Sequence, residues 1–116
     1  MESVSREINF YIDEGGREVV KDWLFELKRK KKFSELSKIQ TRINRAGLGN
    51  FGDHRFISGN LLELKINFGP GYRVYLGIDG NKLIILVNGG TKETQQEDIE
   101  VAKKNWQCYL KAKTGE

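Results

Sequence analysis

Glu63, Lys65 and Asn67 alternate with Leu62, Leu64 and Ile66, and Arg73 and Tyr75 alternate with Tyr72, Val74 and Leu76. If the two runs are neighbouring strands paired in register, the polar set shares one face and points away from the leucines. Lys92 follows in Gly89-Gly90-Thr91-Lys92, just ahead of the last helical stretch. A face carrying Lys65, Arg73 and Lys92 suits a phosphodiester, because arginine grips phosphate through paired N–H donors and lysine acts as a point charge. An ordinary solvated sheet face carries the same pattern, and spacing does not decide between the two.

Other candidates have a plainer reading beside the chemical one. His54 is the only histidine and has no partner carboxylate in sight, so a general acid–base role lacks its second group. Cys108, near Trp106 on a helical stripe, reads as packing rather than as a nucleophile. The five basic residues Lys28 to Lys32 close a helix, where cations complement the dipole; their alternative use is a contact to an RNA backbone, and Arg42 and Arg45 share both readings. No cluster of Asp, Glu, His or Cys has metal-ligand spacing, and neither a P-loop nor a serine-nucleophile motif is present. The expectation is an activity with no metal and no cofactor.

The elements that must position these residues follow from hydrophobic period. Ile8, Phe10 and Ile12 alternate with Asn9 and Tyr11, predicting a half-buried strand over 7–12. Val20, Trp23, Leu24 and Leu27 share one face of a helix over about 15–31, and Leu36, Ile39 and Ile43 form the inner stripe of a second helix stopped by Gly47-Leu48-Gly49-Asn50. A meander then runs through His54–Ile57, the Leu62–Phe68 and Tyr72–Ile78 runs, and residues 83–87. That last run is apolar at every position, which predicts burial on both faces. Asp79-Gly80-Asn81 is a hairpin turn signal, and Thr94-Gln-Gln-Glu97 matches a capping box for a helix carrying Ile99, Ala102, Trp106 and Leu110. The order β-α-α-β-β-β-β-α predicts an α+β fold, an antiparallel sheet with an N-terminal helical hairpin and a C-terminal helix gathered against it.

With 116 residues the chain fits one domain, 1–116. No apolar run approaches the roughly 20 residues of a membrane span, Met1 to Arg6 lack the basic-then-apolar order of a secretory signal, and a single cysteine forms no internal disulfide. A cytoplasmic setting is expected. Twenty Lys and Arg against sixteen Asp and Glu leave a net charge of +4, compatible with a polyanionic partner and equally with a solvated surface.

The stretch from Leu62 to Tyr75, the run from Ile84 to Gln95 and then Asp98-Ile99 resemble addiction-module killer proteins of the RelE/ParE superfamily, in its HigB-like branch. The likeness covers nearly the whole chain, with Gly-Pro-Gly-Tyr-Arg and Gly-Gly-x-Lys-x-Thr-Gln as its most specific segments. It implies a RelE-like fold, a bacterial or phage toxin of a type II toxin–antitoxin module, and a small antitoxin partner of helix-turn-helix type. It also implies translation arrest by metal-independent cleavage of mRNA on the ribosome. Arg73 matches the position of an arginine that contacts the scissile phosphate, and Lys65 and Lys92 match basic positions that assist. Around them, Arg42, Arg45, His54, Arg55, Asn67 and Tyr75 are the candidate RNA contacts. Glu63 departs from RelE itself, which has a lysine there, and no tyrosine follows Lys92. Two rivals therefore stand beside cleavage: a ParE-like gyrase poison acting by binding, and an inert antitoxin-binding remnant.

Overall fold

A computed structural model describes residues 4–115. The first three residues of the Met1–Arg6 segment, and Glu116 at the end of the expected domain, lie outside them. The expected element order is observed: β1 (Glu7–Phe10), α1 (Val19–Arg29), α2 (Phe33–Gly47), β2 (His54–Ser58), β3 (Leu61–Ile66), β4 (Tyr72–Asp79), β5 (Leu83–Thr91) and α3 (Gln95–Thr114). The helical stripes fall where the spacing puts them, with Val20, Leu24 and Leu27 of α1 and Ile39 and Ile43 of α2 buried. The basic run spans the end of α1 and the hairpin turn. Arg29 ends α1, Lys31 takes a left-handed φ of 61°, and Lys32 precedes α2.

The sheet has the order β1-β5-β4-β3-β2. It is mixed rather than antiparallel, because β1 runs parallel to β5 while the other three pairings are antiparallel. The reason is the connection. The helical hairpin carries the chain from β1 across one face to the far edge, and three reversals later β5 returns alongside β1, pointing the same way. Alternation within a strand carries no information about its partner's direction. The first strand is also shorter than expected: Ile12 lies beyond it and is exposed, while Tyr11 is buried.

Both faces of the sheet are covered. Leu62, Leu64, Val74 and Leu86 pack against the α1–α2 hairpin, and Leu61, Tyr75, Ile85 and Val87 pack against Ile99, Ala102 and Trp106 of α3. The all-apolar β5 is accordingly an interior strand buried on both sides. Two glycines set how closely the helices approach. A Cβ on Gly89 would lie 2.4 Å from the Trp23 ring, and one on Gly77 would lie 2.3 Å from the Trp106 ring. Both tryptophans are thus packing residues, as their stripes suggest. Among the described residues no helix is long and apolar enough to cross a membrane.

Candidate anion site at the end of the sheet

Register places the polar residues in two lateral rows. Lys65 pairs with Arg73, and Arg73 with Gly90; Arg55 pairs with Glu63, Glu63 with Tyr75, and Tyr75 with Asn88. Directly opposed residues share a face with their Cβ atoms about 5 Å apart. A bulge in the β4–β5 pairing after Tyr75 shifts the phase of β5, so that Gly89 meets Trp23 on the hairpin side while Gly90 turns toward α3.

This face was expected to be open to solvent, and it is not. The first turns of α3 lie over it, leaving Glu63 and Tyr75 with 0% exposure and Arg73 with 5%. Polar alternation in β3 and β4 signals an outer face only when nothing covers that face. The apolar run of β5 already indicated cover on both sides, and a neighbouring strand in the same sheet shares that cover.

Glu63 anchors the buried row. Its carboxylate accepts from Arg55 Nε at 2.9 Å and from Gln95 Nε2 at 2.9 Å. Burial pushes the Glu63 carboxyl up, but the donors of Gln95 and Arg55, the nearby Tyr75 hydroxyl and the Arg55 charge outweigh it and hold the group below the usual carboxylate range. The Tyr75 hydroxyl faces that carboxylate short of hydrogen-bond geometry and has no other partner; burial, then the Glu63 charge, push it above the ordinary phenol range. Asn88 Nδ2 donates to Asp98 O at 2.9 Å, tying β5 to α3. The expected capping box does not form: the Thr94 hydroxyl donates to the Asp98 side chain instead of accepting from a helix N–H. Asp98 sits over Gly90, where a Cβ would come within 1.9 Å of its Oδ2. Burial raises its carboxyl above the usual range.

The three cations expected to act together are brought to one corner. Arg73 Nη1 donates to Tyr72 O at 3.0 Å, while its buried Nε has no partner. The Lys92 backbone N–H donates to Gly71 O at 2.6 Å. Gly71, at φ +81°, leaves room for both neighbours: a Cβ there would lie 3.3 Å from Lys92 Cβ and 3.6 Å from Arg73 Nη1. Lys65, opposite Arg73, is half-buried, and Lys92 is exposed. None of the three makes an ion pair among the described residues. The N-terminus of α3, with its partial positive charge, closes the corner. A guanidinium paired in the sheet with Lys65 and set beside Gly71 and Lys92, with no ion pair to any of the three cations among the described residues, gathers positive charge that is suited to holding an anionic oxygen and to stabilising charge that develops on it.

The remaining expected RNA contacts do not form one surface. Arg55 is held by Glu63, and Tyr75 is buried beneath α3. Arg42 spends its donors on the carbonyls of Lys65, Phe51 and Asp53, at 2.6, 2.8 and 3.0 Å, which makes it a strut between α2 and the sheet. Arg45 and Asn67 line a groove beside it on the hairpin side. His54 is exposed on the edge strand, its Nδ1 2.7 Å from Gly52 O and its ring edge-on to Phe51 and Phe56. Sequence reasoning assigned no part to Gln95, Asn88 or Asp98, which bind the helix to the polar rows. Their signal was position alone: Gln95 and Asp98 stand at the start of the helix that follows Lys92, and Asn88 in the strand before it. Among the described residues no three His, Cys, Asp or Glu side chains gather as a metal site requires.

No protein-family model matches the chain. An uncharacterized protein of Haemophilus influenzae is 44% identical to it over 81 residues, which span 70% of this chain and 79% of that protein. Likeness at that level over most of both chains makes this protein a member of the same family as the Haemophilus influenzae protein.

Proposed function

We propose that the protein is a RelE-like toxin of the HigB-like branch, an endoribonuclease that cleaves mRNA on the ribosome in the cytoplasm without a metal, and that a small antitoxin of helix-turn-helix type restrains it. The observation that carries this reading is the corner formed by Arg73, Lys65 and Lys92, three cations that make no ion pair among the described residues. A ribose 2′-OH lies beside its own phosphate, so the substrate supplies the nucleophile. The protein need only orient it, neutralise charge and move protons. In the reaction the 2′ oxygen bonds to phosphorus and the bond from phosphorus to the 5′ oxygen breaks. The proton lost from the 2′-OH is balanced by one delivered to the leaving oxygen.

Arg73 is assigned the charge developing on the phosphate oxygens, while Lys65 and Lys92 neutralise the flanking charge and assist the transfer of the proton from the 2′-OH to the leaving 5′ oxygen. Glu63 takes no proton in this scheme, because it is fully buried and held ionised by Arg55 and Gln95. Incubation with ribosome-bound mRNA tests the proposal. Cleavage is expected to persist in EDTA at concentrations that leave ribosomes intact, to yield a 2′,3′-cyclic phosphate or 3′-phosphate with a 5′-OH, and to fail on a 2′-deoxy substitution at the cut. Products with 5′-phosphates, or arrest of gyrase with mRNA left whole, would overturn it.

A further inference from the structure

On the side of the sheet end away from Arg73, α2 and the last residues of β3 enclose an open groove of about 390 Å³. That volume lies within the range of small-ligand sites, about 300–1,000 Å³. Lys38, Arg42 and Arg45 line it together with Thr41, Asn67 and Phe68; among the described residues no carboxylate lines it, and Asp53 Oδ2, which accepts from Asn67 Nδ2 at 3.3 Å, lies next to it. Arg42 is fixed as its floor by the three carbonyls it binds, one of them that of Lys65. Arg42 thereby ties the groove to the backbone of Lys65, the residue that pairs with Arg73 in the sheet. Lys38 Nζ lies 4.9 Å from the centroid of the half-buried Phe68 ring. Lys38 and Arg45 make no ion pair among the described residues, so the groove offers two cations and an aromatic face. Along the chain, Gly69-Pro70-Gly71 and Tyr72 connect Phe68 of the groove to Arg73.

We propose that this groove is a second RNA subsite, which takes one nucleotide of the same single strand with its phosphate between Arg45 and Lys38 and its base on Phe68. This deepens the RNA-cleaving reading above and rests on it. Phosphate and base call for the two features that coincide here: a cation free of carboxylate partners, and an aromatic face on which any base stacks. Lys38 covers that face when the groove is empty and swings to the phosphate as the base arrives. A strand bound at the Arg73 corner reaches the groove by rounding the sheet end.

Fluorescence anisotropy of the full chain with 2′-O-methyl oligonucleotides, which cannot be cut, tests the subsite. The hexanucleotide is expected to bind more tightly than the dinucleotide, and the paired substitutions Lys38→Glu and Arg45→Glu to erase that gain. The loss for the hexanucleotide should be roughly tenfold, with the salt dependence shallower by about 0.7 for each phosphate contact removed. Phe68→Leu is expected to weaken the hexanucleotide while leaving the salt slope unchanged. Lys38→Gln with Arg45→Gln repeats the test without adding negative charge, should the glutamates disturb folding. Retention of the length gain in both paired variants overturns the subsite, as does displacement of the hexanucleotide by polyglutamate at equal charge, which would make the groove a patch for acidic protein. If the wild-type chain binds neither oligonucleotide, the subsite falls, while the RNA-cleaving reading is decided separately by the products formed on ribosome-bound mRNA. If the dinucleotide binds and Arg73→Ala abolishes that binding while the groove variants change nothing, only the subsite falls.

Discussion

Arg73→Ala separates a residue kept for chemistry from one kept for the fold. The side chain is 5% exposed, so truncation at first sight resembles damage to the core. The structure argues otherwise. Among the described residues the guanidinium makes one hydrogen bond, from Nη1 to Tyr72 O, and no ion pair, while its Nε is buried and unpartnered. Loss of a hydrogen bond from a charged donor costs about 1.5–3 kcal/mol. Removal of an unsatisfied donor and an uncompensated charge offsets this by a similar amount, about 1–3 kcal/mol. The expected net change is within about 1 kcal/mol, or a melting shift of no more than about 5 °C. Cleavage, in contrast, should lose about 3 kcal/mol of transition-state stabilisation, roughly a hundredfold in rate. Arg73→Lys keeps the charge without the paired donors and should recover part of that loss. Cleavage of ribosome-bound mRNA and thermal melts on the same samples decide the matter. Wild-type cleavage by Arg73→Ala would refute the catalytic role, and a melting point lower by 10 °C or more (about 2 kcal/mol or above) would mean that the buried guanidinium holds the fold together.

Gly77→Ala should lower the melting point by driving a methyl group into the Trp106 ring, at a cost of about 1–3 kcal/mol; an unchanged melt would show that α3 shifts freely on the sheet. Leu64→Ala and Leu86→Ala, both at 0% exposure, should each cost about 2–5 kcal/mol in denaturant unfolding. Glu63 has a folded-state pKa below its unfolded value, so its stabilising contribution is full above about pH 4.3 and is lost as the pH falls through the lower, folded value. Glu63→Gln should therefore lower stability at neutral pH and flatten the acid limb of a stability–pH curve. An acid limb of unaltered slope would mean that the Glu63 carboxyl titrates alike in the folded and unfolded chains, so that its partners do not hold it below the ordinary range.

The sequence by itself determined the element order and the inward stripes, because both follow from local periodicity: three- and four-residue steps in the helices and two-residue steps in the strands. It also brought Lys65 and Arg73 together, since a short Gly-Pro-Gly connection leaves two alternating strands little choice but to pair antiparallel with matched faces. Whether that face met water was decided by tertiary structure. Glu63, Tyr75 and Arg73 are polar at positions that alternation marks as outer, yet the stripe of Ile99, Ala102 and Trp106 needed a second apolar bed and found it beside them on Tyr75, Ile85 and Val87. The direction of β1 was also a tertiary outcome, because a crossover connection, rather than any residue within the strand, sets it. Arg42 illustrates the same limit. Its charge suggested a nucleic acid, but three carbonyls from distant segments claim its donors, and hydrogen-bond partners far apart in sequence leave no trace in local pattern.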